Sequence, residues 1–239
     1  MYHGPSKLIR AVERNDEFKQ LQEELTNELN AGGTEGGPAY RRVVEGTAAA
    51  LAPAKFPEST VSLSAECVIL LEDIAKFGRD VYPWPVVKLL LLVVWTQLFD
   101  EVYELEESTT GSMLDKNEFA EERRACLATL TDVHHPPITL QRLCEIPLKQ
   151  PYLAISKLLH AYRKVALVRA LMPRTGVKPA EAAASSSEGE ESANMKAVVE
   201  ALCTWANVLD RPGTREWEDD AWLGFWEYRA DNEQVAIMP

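Results

Sequence analysis

Apolar residues recur at helical spacing along most of this chain, and the breaks between runs fall at proline, glycine or capping residues. Asn15 is placed to cap a helix over "DEFKQLQEELTNELN", where Phe18, Leu21, Leu25 and Leu29 share one stripe and "AGG" is the stop. The loop "AGGTEGGP" leads to "AYRRVVEGTAAALA", a helix ended by Pro53. Ser62 or Ser64 opens the next, "AECVILLEDIAKF", which stops near Gly78. In "YPWPVVKLLLLVVWTQLFDEVYELEE", Pro85 suits the first helical position, where a missing N–H costs nothing. Apolar residues cover most faces through Leu98 and acids take over after Asp100, so this helix starts buried and ends in water.

Asp115 or Asn117 caps "EFAEERRACLATLTDV", with Phe119, Ala125, Cys126 and Leu130 at helical spacing and Glu121 to Arg124 as a solvated face. Thr139 is the predicted N-cap of a short helix that Pro136 and Pro137 approach in extended form. Pro147 and Pro151 end it, and Tyr152 opens a second helix whose Ile155, Leu158, Leu159 and Tyr162 face the first. "VALVRALM" reads as a helix end or a lone strand, and "PRTGVKPAEAAASSSEGEES" has the composition of a disordered linker. "ANMKAVVEALCTWANVL" places Met195, Val198, Val199, Leu202, Trp205 and Leu209 on one stripe. No alternating strand pattern persists, so the predicted fold is all-α. It consists of a multi-helix domain at 1–175 with a capped helix–turn–helix pair, a linker at 176–193, and a partly disordered acidic region at 194–239 that includes the last helix.

Charge sharpens that division. From Pro179 onward there are 13 acids and 4 bases, whereas the whole chain of 239 residues carries −12. The body is therefore nearly balanced and the C-terminal region holds most of the negative charge. Such a region repels a phosphate backbone, so no nucleic acid is expected, and a basic protein surface fits better. Cys67, Cys126, Cys144 and Cys203 stand far apart with no C-x-x-C, which suits free thiols in a reducing compartment. The start, "MYHGPSKLIRAVERNDE", has no apolar core of a secretory signal. The most apolar run, Val86 to Phe99, is too short for a bilayer and carries Lys88 and Gln97. These features predict a soluble intracellular protein with no membrane partner.

Candidate chemistry gathers between His134 and Val165. His134, His135, Cys144 and His160 raise a metal site, yet adjacent histidines on a regular element point apart and no H-E-x-x-H or similar spacing is present. Cys144 with a histidine would make a nucleophile pair, but it falls on an apolar stripe with Leu140, Leu143 and Leu148, where cysteine is a small core residue. No nucleophile elbow, phosphate-binding loop or dinucleotide fingerprint occurs. The expectation is no catalytic residue, no metal and no cofactor. A helix–turn–helix adaptor reading nucleic acid through Lys157, Arg163 and Lys164 is the alternative.

The wording of this segment carries more than its pattern. "PPITLQRLCEI", then "PY" and "SKLLHAYRKVALV", resembles the signature of the core regulatory subunit 2 family of protein phosphatase 4, a Ser/Thr phosphatase. Upstream, "YPWPVVKLLLLVVWTQLFDEVYE" is similar to that family's aromatic-proline-tryptophan opening and long apolar helix, and order and spacing agree over 56–168. The chain departs where "PLKQP" replaces basic residues, where "LVRALMP" is less β-like than the family, and in its first eighty residues, which match nothing specific. The resemblance implies a non-catalytic subunit, nuclear and cytoplasmic. It would bind the phosphatase catalytic subunit together with a further regulatory subunit, in DNA-damage recovery and related processes. On that basis partner contacts are expected at Trp84, Pro137, Ile138, Thr139, Gln141, Arg142 and Glu145, and at the bases Lys157 and Arg163, with Leu140, Leu143 and Cys144 left to the core.

The C-terminal "EWEDDAWLGFWEYR" departs from a plain acidic tail through Trp217, Trp222, Phe225 and Trp226. It either docks back on the domain or anchors in a basic-rimmed apolar groove of a partner, and back-docking is preferred because dense aromatics are seldom left in water. Ser185 and Ser187, each with an acid three residues on, are candidate sites for an acidophilic kinase.

Overall fold

The computed structural model describes residues 6–31, 37–54, 61–166 and 193–209. Among these the secondary structure is α-helical with no strand: α1 (Lys7–Arg10), α2 (Asp16–Asn30), α3 (Pro38–Leu51), α4 (Ala65–Phe77), α5 (Trp84–Thr109), α6 (Lys116–Thr131), α7 (Leu140–Lys149), α8 (Ile155–Ala166) and α9 (Ala193–Leu209). The all-α reading holds. The linker, most of "VALVRALM" and the acidic-aromatic segment lie outside the described residues.

The apolar run organises everything else. From Val86 to Val102, α5 is buried on nearly every face, and it touches α1, α3, α6, α7, α8 and α9. Each such side chain withdrawn from water contributes about 1.5–3 kcal/mol, so this helix dominates the stability of the domain. Beyond Val102 its last turns are largely exposed, as the acids foretold. Trp95, Phe99 and Tyr162 form an aromatic triad that joins α5 to α8, with ring centroids 4.7–5.5 Å apart. The helix opens at Trp84, so Pro85 stands second rather than first, an equally harmless position for a residue without an N–H.

Helices α2, α3 and α4 pack on one another, and α4 in turn is the main support of α7. Helices α2, α3 and α4 thus build the platform on which α7 rests. At the other end of the chain, Val198, Ala201, Trp205 and Leu209 of α9 join the same core against α3, α5 and α6, although the sequence had set 194–239 apart. Val199 is the exception on that stripe and is exposed, because the buried arc runs through residue 201 instead.

Two caps follow the local sequence. Asn15 Oδ1 accepts from Phe18 N at 2.8 Å, and Asp115 forms a full capping box with Glu118. Other helix ends are satisfied by distant residues. Glu28 accepts from Ala39 N and Tyr40 N at the start of α3, Glu101 accepts from Lys7 N at α1, and Glu106 accepts from Ile155 N at α8. Carboxylates are well placed there, facing unpaired N–H groups and the positive end of each helix dipole. Ser64 sits at the cap position of α4, but its hydroxyl meets Cys67 Sγ at 3.5 Å instead of capping.

Candidate functional site

Helix α7 carries the run "LQRLCEIPLK", and its two faces behave differently. Inward, Leu140, Leu143, Cys144, Ile146 and Pro147 are buried against α4 and α5. Cys144 is fully enclosed and burial pushes its thiol well above the ordinary range, so it is a core residue with no thiolate to offer. Outward, Gln141, Arg142 and Lys149 are exposed and Glu145 is half-buried.

The expected end of this helix at Pro147 is corrected by the structure. Pro147 lies inside α7, which continues to Lys149. A proline there leaves the carbonyl four residues back without its helical donor. That carbonyl belongs to Leu143, and the buried Trp95 indole donates to it at 3.1 Å. The carbonyl of Pro147 accepts in turn from Ser6 N at 3.2 Å, where Pro151 has no N–H to give. Gln150 closes the helix with φ +38, a left-handed conformation unusual for a residue with a Cβ.

Thr139 also needs correction. It stands at the cap position but its side chain makes no cap. Its hydroxyl donates instead to Val165 O at 2.6 Å, tying the α7 approach to the last turn of α8. Tyr152 does not open α8, which starts at Ile155 under the Glu106 carboxylate. The two helices touch, but α7 leans mainly on α4 while α8 lies against α5 and α6. The consecutive helix pair is present, but Thr139 does not cap it.

The other expected contact residues scatter into three places. Gln141, Arg142 and Glu145 share the open face of α7. Gln141 Nε2 donates to Ala75 O at 3.0 Å and so closes the last turn of α4, whose Gly78 (φ +66) leaves room that a side chain would contest with Gln141 Oε1 at 3.2 Å. Arg142 bridges Glu145 at 2.8 Å, and Lys149 reaches the same carboxylate at 3.5 Å. The Arg142 hydrogen bond is the main reason that the Glu145 carboxyl lies below its usual value.

Around the loop from α6 to α7, Pro137 is buried and Ile138 is 56% exposed. Trp84 is half-buried there and donates from Nε1 to Val133 O at 2.9 Å. Lys88 donates to Thr131 O and Val133 O, so the base inside the apolar run caps the C-terminus of α6. On α8, Lys157 is exposed about two turns, ~12 Å, from the Thr139 tie. Arg163 is only partly exposed and pairs with Glu122 of α6. The same pair, with Arg123 bound to Asp100, corrects the reading of 121–124 as plain solvated surface.

The open face of α7 borders a groove of about 720 Å³ shared with α2 and α4. Its lining includes Lys19, Lys76, Phe77, Leu148 and Lys149, none of which is among the expected contact residues. The available signal was Phe77, an aromatic at the stop of a helix with Lys76 and Arg79 beside it; both cations lie over its ring, 4.8 and 4.3 Å from the centroid. Among the described residues no cluster of three or more His, Cys, Asp and Glu side chains is arranged to hold a metal, and no helix is long and apolar enough to cross a membrane. His134, His135 and His160 are exposed while Cys144 is enclosed, so that set does not converge. Cys67 and Cys126 are buried and Cys203 is exposed, all free.

No family model, no curated protein and no solved structure matches this chain.

Proposed function

We propose that the protein is a non-catalytic regulatory subunit that binds a Ser/Thr phosphatase catalytic subunit of the protein phosphatase 4 type and adjusts its activity or substrate choice. The observation that carries this is the division of α7, the helix of the "PPITLQRLCEI" resemblance. Its apolar half is locked into the core while Arg142, Glu145 and Lys149 stay outward beside an open groove. A recognition helix held rigidly by its own domain loses little conformational freedom on binding, which favours affinity. Dephosphorylation belongs to the partner's metal site in this reading. A further regulatory subunit and action in both nucleus and cytoplasm, including DNA-damage recovery, come with the same proposal. Chosen contacts are Arg142 and Glu145 first, with Gln141, Ile138 and Trp84 at the margin and Lys157 farther along α8.

Capture of the phosphatase 4 catalytic subunit by the purified full chain tests it. Wild type is expected to retain the catalytic subunit. Arg142→Glu, which sets two like charges side by side on an exposed helix face and leaves the core alone, is expected to release it while the fold remains intact. Failure of the wild type to capture removes the proposal.

A nucleic-acid adaptor remains the second reading, favoured by the exposed Lys157 and Lys164 on one side of α8. Its third base, Arg163, is engaged with Glu122, and α7 is committed to α4 rather than offset as a docking frame. Steep salt-dependent binding to duplex DNA would support that reading, and no binding at low salt would end it.

A further inference from the structure

We infer that the groove between α2, α4 and α7 is occupied by this chain's own acidic-aromatic segment, residues 216–229. The groove has an apolar floor, with Leu25 below and Ala75, Phe77 and Leu148 partly or fully open to it. Phe77 is 40% exposed, one of the few large apolar side chains left in water among the described residues. Around it stand cations. Lys76 and Arg79 cover the Phe77 ring, while Lys19 and Lys149 hold only long contacts of 3.3 and 3.5 Å to carboxylates.

The acids of the lining are already engaged. Glu72 is bound by Arg14 and Gln22, Asp73 by Arg79 and Tyr82, and Glu145 by Arg142 at 2.8 Å; Glu23 is the exception. What the groove still offers is an apolar strip with ammonium groups along its edge. A ligand for it needs aromatic side chains to cover Phe77 and Leu148 and carboxylates to meet the lysines.

The chain supplies such a ligand. Residues 210–239 hold eight acids and three bases, and Trp217, Trp222, Phe225 and Trp226 fall among Glu216, Glu218, Asp219, Asp220 and Glu227. Reach is not limiting. Helix α9 ends at Leu209 and packs on α3, which packs on both α2 and α4, so the groove lies about two helix spacings, ~20 Å, from α9. The 13 residues from Leu209 to Trp222 extend to ~45 Å. Tethering raises the local concentration of the segment to about the millimolar range, so modest intrinsic affinity fills the site. If the phosphatase reading also holds, the segment competes for the α7 face, a consequence that rests on that reading while the docking itself does not.

Photo-cross-linking in the full chain tests the inference. With Phe77 replaced by p-benzoylphenylalanine, irradiation is expected to join residue 77 to a peptide within 216–229 of the same chain, at a yield that does not change on dilution. A second probe replacing Lys149 gives the same partner and guards against a local disturbance at residue 77. Trp222→Ser combined with Trp226→Ser, or Lys76→Glu combined with Lys149→Glu, is expected to lower the yield about tenfold. Circular dichroism of each variant establishes that the helices persist. Cross-links confined to other segments, yields that fall with dilution as for a second copy, or no cross-link from either probe would overturn the inference. Phosphatase capture is scored separately, so loss of either result leaves the other readable.

Discussion

Helices α6 and α7 are joined by a short loop, yet they are held in opposite ways. The start of α6 is made by its own residues, with the Asp115 carboxylate accepting from Asn117 N and Glu118 N while the Glu118 carboxylate accepts from Asp115 N. The start of α7 has no side-chain cap, its interior contains a proline, and its end places Gln150 at positive φ. Other elements compensate: Trp95 of α5 donates to the carbonyl that Pro147 leaves open, Ser6 at the start of α1 donates to Pro147 O, and α4 supports the helix along its length. A helix of 10 residues with such irregularities is not stable alone, so α7 exists because the rest of the domain imposes it. The difference teaches that the segment with the most distinctive wording is also the one most dependent on tertiary context.

The sharpest way to break that comparison is at Trp95. Trp95→Ala removes a fully buried ring and is expected to cost ~3–5 kcal/mol. Trp95→Phe keeps much of the ring volume but strands the Leu143 carbonyl, for a loss of ~1–3 kcal/mol. Pro147→Ala in that background restores a backbone donor to the same carbonyl and should recover about 1 kcal/mol, a coupling that a double-mutant cycle in urea resolves. If the two substitutions simply add, the bond between Trp95 and Leu143 is not what accommodates the proline.

This pattern also explains what was legible in advance. The cap at Asn15, the cap at Asp115 (one of the two residues the sequence offers there), the stop at Gly78 and the buried-then-wet course of α5 all rest on residues close in sequence or on a single period, and all appear in the structure. The placement of Cys144 in the core was readable for the same reason. Thr139 and Pro147 were misread because their roles are set by Val165 and Trp95, which no local window contains. Arg163 was read as displayed since Glu122 lies on a different helix. The groove was invisible because its walls come from α2, α4 and α7, three helices whose adjacency is a property of the fold. Only two of its lining residues, Gln141 and Glu145, are among the expected partner contacts.

The helix ends sharpen the comparison at smaller scale. Gln150→Gly relieves the left-handed backbone and removes a buried side-chain oxygen left without a partner, so stability should rise by about 1 kcal/mol. At the corresponding end of α6, Asp132 has φ −77, and Asp132→Gly should lower stability by ~0.5–1 kcal/mol through added freedom of the unfolded chain. Opposite signs in the two urea midpoints are the expected result; equal signs would mean that the end of α7 is not strained. At the helix starts, Asp115→Ala should cost ~1 kcal/mol and speed amide exchange in the first turn of α6. Glu106→Ala should speed exchange instead at Ile155, on a different helix from the one altered.

Thr139 gives a small effect and the finest discrimination. A local cap and a long-range tie predict similar losses for Thr139→Ala, about 0.5–1 kcal/mol, so a midpoint alone does not separate them. Location does. If Thr139 capped α7, exchange would quicken at the amides of its first turn, which lack intrahelical partners. The bond from Thr139 Oγ1 runs to Val165 O, so the change should appear in the last turn of α8, and Thr139→Ser should retain wild-type protection there by keeping the hydroxyl. The consequence reaches the proposed site, because that bond is one of the restraints on the loop that carries Ile138 and sets the angle at which α7 emerges. Partner capture by Thr139→Ala should therefore weaken modestly, and by less than with Arg142→Glu, since the open face of α7 is shifted rather than reversed in charge.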